Sequence, residues 1–342
     1  MPVSENYKEQ TTMKKCCFII PYFGKFPNYF PLFLKTCGHN PDFNWLVITD
    51  DRLEYDYPSN FTVLYWSFEK LKRYIQDKFD FRIALDSPYK LCDYKPAYGY
   101  IFEDYIRDFL FWGHCDVDTL MGKLGHFITP ELLQQYDKLF CLGHMTLYKN
   151  TYENNRVFMS VFKGVELYKN VFSTNDICWF DEEYRDEYNI NELFRSNGKQ
   201  ICMKDFSMNV VANYTGFVRV EYLGIKNYPQ NHGYKQEAYI KSAVYTWNDG
   251  HLFRFYTIKG NQLKREEFLY IHIFRRRMSF QKYLLTLDKF KIIPNKFLPM
   301  EVEEITVDNI GRIKKHTFCL QYYDANIKPR IKKLLKRIKG ER

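Results

Sequence analysis

The 342-residue chain has no run approaching the roughly 20 apolar residues that a membrane-spanning helix needs. Its first apolar run, Cys16 to Phe23, is short and interrupted by Pro21. It reads as a buried strand rather than a secretory signal, so neither export nor a spanning helix is expected. Cys-x-x-Cys spacing is also missing. The nine cysteines are scattered, and Cys16–Cys17 is the one adjacent pair. An odd count leaves one thiol over under any pairing, and the ligand spacings of structural zinc are not there. Reduced thiols in the cytoplasm are therefore expected. There is no internal repeat or low-complexity stretch, which excludes a repeat array. Net positive charge is small outside the last fifteen residues. Lys328 to Arg342 holds eight Lys or Arg and one Glu, which is +7 of the net +9. The body is thus near neutral, with no second basic patch and no nucleic-acid motif, so no nucleic-acid partner is expected.

The chain does contain a globular composition, 46% hydrophobic and 27% charged, long enough for one large domain or two of ordinary size. Aromatics reach 19%, with 30 Phe and 29 Tyr. Aromatic faces pack on sugar rings, but AT-rich codons inflate the same residues together with Lys, Asn and Ile. In the tail, Ile331, Leu334, Leu335 and Ile338 fall on one helical face amid Lys and Arg. That pattern predicts an interfacial helix over 327–342 on an anionic membrane surface, which would make the protein peripheral at the inner face of the cytoplasmic membrane. A solvated charged end would have the same composition.

Along the chain, residues 1–14 are polar and read as a disordered tail. Strands are expected at Lys15–Ile20, Asn44–Thr49 and Phe61–Trp66, with helices at Tyr29–Cys37 and Glu69–Lys78. This alternation predicts an α/β sheet with parallel strands, whose ligands sit beyond the strand carboxyl ends. Tyr22, Asp50 and Asp51 occupy such ends. Pro96 is expected to open a helix carrying Ile101, Phe102, Tyr105 and Ile106. Phe109–Cys115 reads as a central strand running into Asp116-Val117-Asp118. Thr129-Pro130-Glu131 starts another helix. Lys138–Tyr148 carries a strand around Gly143-His144, and a helix follows Thr151. Ile177–Phe180 leads into Asp181-Glu182-Glu183. Asn248-Asp249-Gly250 between two apolar runs signals a hairpin. Phe268–Phe274 reads as an apolar strand containing His272, followed at once by Arg275 and Arg276.

Asp116-x-Asp118 at the end of a buried strand is the sharpest chemical signal. Two carboxylates one residue apart on a turn can reach one hard cation, and two Asp at a buried strand end need a partner. A cation there can bridge diphosphate oxygens and neutralise a diphosphate leaving group. Two solvated Asp on a turn are the plainer reading.

The run YKLCDYKPAYGYIFEDYIRDFLFWGHCDVDTLMGKL, Tyr89 to Leu124, resembles the core of a family of bacterial glycosyltransferases encoded with capsule and exopolysaccharide genes. FIIPYFGKFPNYFPLFLKTCGHNPDFNWLVITDD (Phe18 to Asp51), LGHMTLYKNTYENN (Leu142 to Asn155), WFDEE (Trp179 to Glu183) and YIHIFRRRM (Tyr270 to Met278) are similar to the same family in order and spacing. The resemblance spans residues 15–280. It implies a GT-A-type, Rossmann-like nucleotide-sugar-binding fold with a mixed central sheet and a small C-terminal extension. The catalytic domain would cover 15–288, and the extension 289–342 would end in the basic amphipathic helix.

By the same resemblance, Asp116, Asp118 and His272 would hold Mn²⁺ or Mg²⁺. Tyr22, Phe23, Asp50, Asp51, Lys95, Gly143, His144, Arg275 and Arg276 would contact the nucleotide-sugar. Asp181 and Glu182 would form the catalytic acidic pair, one deprotonating the acceptor hydroxyl. For Asp181 and Glu182 a helix N-terminal charge is the competing role, and for the arginines a solvated cluster. The implied activity is a metal-dependent transfer of a sugar from a nucleotide-sugar, UDP-sugar favoured, to a glycan or lipid-linked oligosaccharide acceptor in cell-surface polysaccharide synthesis. Two alternatives remain. Asp116-Val117-Asp118-Thr119 also fits the nucleophile motif of haloacid-dehalogenase-like phosphatases, although that motif usually follows the first strand of its domain. A non-catalytic sugar-binding module is the third reading.

Overall fold

The computed structural model describes residues 14–183, 187–210, 216–259, 262–274 and 277–317, with the single residues 327, 328, 331 and 335. β1 (Lys14–Tyr22), β2 (Phe43–Thr49), β3 (Phe61–Tyr65) and β4 (Phe109–Cys115) follow the apolar runs of the sequence to within about two residues, as do α1 (Phe30–Gly38) and α2 (Phe68–Gln76). β1 pairs in parallel with β2 and with β4, and β2 with β3. β4 continues into β5 (Thr119–Met121) in a neighbouring sheet. β6 (Lys138–Leu142) and β7 (Met145–Lys149) form an antiparallel hairpin, and β7 lies against β4. Among the described residues the main sheet has seven strands, running from Ile201–Cys202 through β6, β7, β4, β1 and β2 to β3. The protein is therefore a mixed α/β fold around a large mixed sheet, with β4 at its centre.

β1 is apolar from Cys16 onward because both faces of the sheet are covered there. Cys16, Phe18 and Ile20 pack on one side with Phe30 and Phe33 of α1 and with Trp45. Cys17 and Ile19 pack on the other with Leu71 and Ile75 of α2 and with Trp112. A five-stranded antiparallel sheet built from Val244–Asn248, His251–Ile258, Gln262–Phe268, Lys289–Ile293 and Lys296–Pro299 covers the first side. Its Trp247 indole donates to the Met121 carbonyl at 3.1 Å. The hairpin expected around Asn248 is present. Its turn residues Asp249 and Gly250 both have positive φ, 46° and 84°, as a tight hairpin with right-handed twist requires. Lys289–Ile293, just past the expected boundary at residue 288, pairs with Val244–Asn248 in this sheet.

Three local expectations need correction. The helix expected to open at Pro96 starts at Pro88 instead. It is a chain of short turns: Pro88–Lys90, Leu91–Tyr94, Lys95–Ala97, Tyr98–Ile101 and Glu103–Tyr105. Pro96 lacks an N–H for a continuous ladder, so it marks a joint inside the stretch. Lys138–Tyr148 is two strands, with Gly143 and His144 at the turn. Phe268–Phe274 is split as well. Phe268 ends a strand of the five-stranded sheet, and Tyr270–His272 joins a three-stranded sheet with β5 and Met208–Asn209.

Eight of the nine cysteines are described, and all eight are free. No helix among the described residues is long and apolar enough to cross a membrane. The disordered tail expected at 1–14 lies outside the described residues except for Lys14. Most of 327–342 does too. Within it, Lys328, Ile331 and Leu335 are helical, and the Ile331 and Leu335 side chains are exposed.

Candidate functional site

The end of β4 is where the two sheets part, and a cleft of about 890 Å³ opens there. Asp116 follows the last residue of β4, and its N–H donates to the His144 carbonyl at 3.0 Å. The Thr119 hydroxyl closes the turn by donating to the Asp116 carbonyl at 2.7 Å. β5 then pairs antiparallel with Tyr270–His272, in a register that sets His272 opposite Thr119. The Ile273 N–H donates to the Asp118 carbonyl at 2.8 Å. Two segments about 150 residues apart are thereby locked together, and His272 Nε2 comes to 3.4 Å from Asp118 Oδ1. Burial disfavours the imidazolium, yet Asp118 holds the His272 pKa above its ordinary value. Burial likewise opposes the Asp118 charge, and His272 pulls that carboxyl below its ordinary range.

One carboxylate oxygen from each of Asp116 and Asp118 and a ring nitrogen of His272 lie within 4.8 Å of one another. Donors around one hard cation, at metal–oxygen distances of about 2.0–2.6 Å, span a similar width. Asn209 Oδ1 lies 3.1 Å from His272 Nδ1. With the proton on Nδ1 donated to Asn209, the Nε2 lone pair faces Asp118 and is available to an ion, the usual arrangement behind a ligating histidine. The residues therefore fit a divalent cation.

Beside this cluster, Lys95 reaches into the cleft from the turn Lys95–Ala97. Its ammonium is 2.9 Å from Asp116 Oδ1 and 3.4 Å from Asp181 Oδ2, and it donates to the Gly143 carbonyl at 2.7 Å. Burial works against this charge, but Asp116 and Asp181 outweigh it and raise the Lys95 pKa well above its ordinary value. The Asp181 carboxyl is pushed up to about 7, chiefly by burial, with Lys95 pulling the other way and Glu182 adding to the rise. Burial also raises Glu182, whose Oε2 accepts from the Gly143 N–H at 3.3 Å. Gly143 leaves room for these carboxylates. A Cβ there would lie 2.7 Å from Asp181 Oδ2 and 3.2 Å from Glu182 Oε2.

Tyr22, Phe23, Lys95, Asp116, Asp118, Gly143, His144, Asp181, Glu182 and His272 thus all line one cleft. Asp50 and Asp51 do not. Asp50 Oδ1 accepts from the Gly24 N–H at 2.8 Å, and Asp51 Oδ2 from the Phe26 N–H at 3.1 Å. Both carboxylates hold the loop that follows Tyr22 and Phe23. Arg275 and Arg276 lie outside the described residues.

Sequence reasoning missed several residues. Asn209 carries no motif, and only the parallel pairing of Met208–Asn209 with Tyr270–His272 reveals it. Tyr270 donates its hydroxyl to, or accepts from, His144 Nδ1 at 2.6 Å, and the His144 ring stacks on His272 at 4.3 Å. His114, inside the apolar FLFWGHC run, is buried in the cleft wall beside the Gly143 backbone, and burial holds it neutral. Tyr89, Trp179 and Phe274 line the mouth. No curated protein matches the chain. Residues 18–301, which include every residue placed in the cleft, match the family of unknown function DUF6625, and the chain belongs to that family.

Proposed function

We propose that this protein is a glycosyltransferase of GT-A type that transfers a sugar from a nucleotide-sugar to a glycan or lipid-linked acceptor with the help of Mn²⁺ or Mg²⁺. The observation that carries this reading is the arrangement of one cleft: Asp116, Asp118 and His272 converge on one wall, and Lys95 bridges Asp116 to Asp181, next to Glu182. A divalent cation bound there would neutralise the diphosphate of the departing nucleotide. Asp116, Asp118 and His272 would hold it, and Asn209 would fix the His272 tautomer. Lys95 places a second positive charge beside the same wall, where a developing phosphate charge is best stabilised by groups already in position. Asp181, with its pKa near neutrality, is suited to take the proton of an acceptor hydroxyl. Tyr22 and Phe23 lie at the β1 end, where a base would stack, and Asp50 and Asp51 fix their loop. The aromatic mouth offers flat faces for sugar rings. The exposed Ile331 and Leu335 belong to the basic stretch 327–342 and would bring the enzyme to an anionic membrane surface.

A thermal-shift panel of nucleotides and nucleotide-sugars, with and without Mn²⁺, tests the reading. A ligand that binds only the folded state at 100 times its Kd adds about 2.7 kcal/mol of stability. UDP or GDP with Mn²⁺ should raise the Tm by several degrees, and EDTA should remove the gain. Stabilisation indifferent to EDTA, or Asp116-dependent hydrolysis of a phosphomonoester, would point to a different chemistry.

A further inference from the structure

A second cluster of metal-ligating side chains lies outside the cleft. His126 sits on the short helix Leu124–Phe127, which follows β5. His251 begins the strand after the Asp249-Gly250 turn, and Glu267 lies on the next strand, opposite Phe253. His251 and Phe253 are two residues apart and share a face of the sheet, so Glu267 lies diagonally across from His251. His126 Nδ1 is 3.2 Å and His251 Nδ1 2.8 Å from the same atom, Glu267 Oε1. The two imidazoles are 5.1 Å apart, and the His251 ring stacks parallel to the Phe253 ring at 5.6 Å, which sets its orientation.

We propose that His126, His251 and Glu267 form a second metal site, for a borderline transition-metal cation such as Zn²⁺. Donors about 2.0–2.2 Å from a tetrahedral zinc stand about 3.3 Å apart, close to the two separations here. Two imidazoles and one carboxylate suit Zn²⁺, Ni²⁺, Cu²⁺ or Co²⁺ better than the hard cations that an all-oxygen set takes. The side chains are 51%, 30% and 26% exposed, so an ion can enter from solution and water can complete its shell. The site ties the segment just after the Asp116 strand to the five-stranded sheet, across 141 residues of chain. An ion held there belongs to the folded state alone and stabilises that junction. Without an ion, the same atoms are simply two imidazole N–H groups donating to Glu267.

The experiment is a calorimetric Zn²⁺ titration of untagged, chelator-stripped full-length protein in an Asp118→Asn background. That background disables the cleft cluster, so the outcome does not depend on the proposed transferase activity. One equivalent of Zn²⁺ should still bind. His251→Ala and Glu267→Gln should each weaken it at least about tenfold, since losing a direct ligand costs no less than losing an outer partner. Co²⁺ should give a visible absorption band that is lost in His126→Ala/His251→Ala, with the circular dichroism of the folded protein retained. Zn²⁺ affinity and stoichiometry unchanged in that double variant would overturn the proposal, as would no Zn²⁺ binding in the Asp118→Asn protein.

Discussion

Lys90, buried, and Lys95, partly buried, stand five residues apart on one stretch of helical turns, and they do opposite things. Lys90 is 1% exposed, and its partner Asp93 is fully buried at 2.8 Å. The Lys90 ammonium also donates to the Asp176 carbonyl at 2.6 Å, and Asp93 accepts the N–H groups of Cys178 and Phe180. The set is closed, and neither side chain lines the cleft. Lys95 is 14% exposed, while its partners Asp116 and Asp181 are 36% and 6% exposed, and all three line the cleft. Closed pairs satisfy one another; open ones leave capacity for a ligand. The two sets are linked, because Asp93 anchors the backbone just before Asp181 and so positions the acidic pair.

The strongest way to sharpen this comparison is at the open site. Asp118→Asn removes one charge at nearly constant shape. Metal-dependent nucleotide binding and sugar transfer should fall at least about 100-fold, the scale on which a bound cation contributes, with the Tm within a few degrees of wild type. Lys90→Met then tests the closed set. It strands the Asp93 charge in the interior and should cost about 3–5 kcal/mol in urea unfolding. Nucleotide affinity per folded molecule should change little. Lys95→Met should show the reverse pattern, with nucleotide affinity lost and a smaller stability change. If both lysine variants lost stability equally and neither affected ligand, the open-versus-closed distinction would be wrong.

Much of this arrangement was legible in sequence, and the boundary is physical. β1, β2 and β4 announce themselves because strands covered on both faces are mostly apolar, and the edge strand β3 by its β-branched and aromatic residues. Asp116 and Asp118 stand out as charges at the end of such a run. Lys90 and Lys95 look alike in sequence, since what separates them is whether distant segments close over them. Asn209 and His114 were invisible for the same reason: one needs a strand register, and the other sits within an apolar run. The split at Leu269 depends on two sheets diverging, which no local pattern encodes.

Smaller effects follow at the acidic pair. Gly143→Ala pushes a methyl against Asp181 and Glu182. It should cost about 1–3 kcal/mol, as overpacking does, and lower turnover by displacing both carboxylates. The pH dependence of stability tests Asp181 by sign. Its folded pKa of about 7 lies above the ordinary 3.8, so the native state holds the extra proton between those values. The resulting stabilisation is complete below about pH 4 and is lost as pH rises through 7. Asp181→Asn has no such proton, so the urea midpoint of wild type should fall relative to the variant between about pH 4 and 7. The smallest effect concerns the end of the chain. Removing Ile327–Arg342 should release the protein from anionic liposomes at low salt and leave nucleotide affinity unchanged. Equal sedimentation of the intact and shortened proteins would reduce the tail to a solvated end.

The most direct measurement is a calorimetric titration of UDP and GDP into wild type and Asp118→Asn, each with Mn²⁺ and with EDTA. The account expects binding of at least one nucleotide to wild type in Mn²⁺, and little in EDTA or in Asp118→Asn under either condition. Equal binding in all four combinations, or none in any, would contradict the assignment of Asp116, Asp118 and His272 to a metal-bridged nucleotide site.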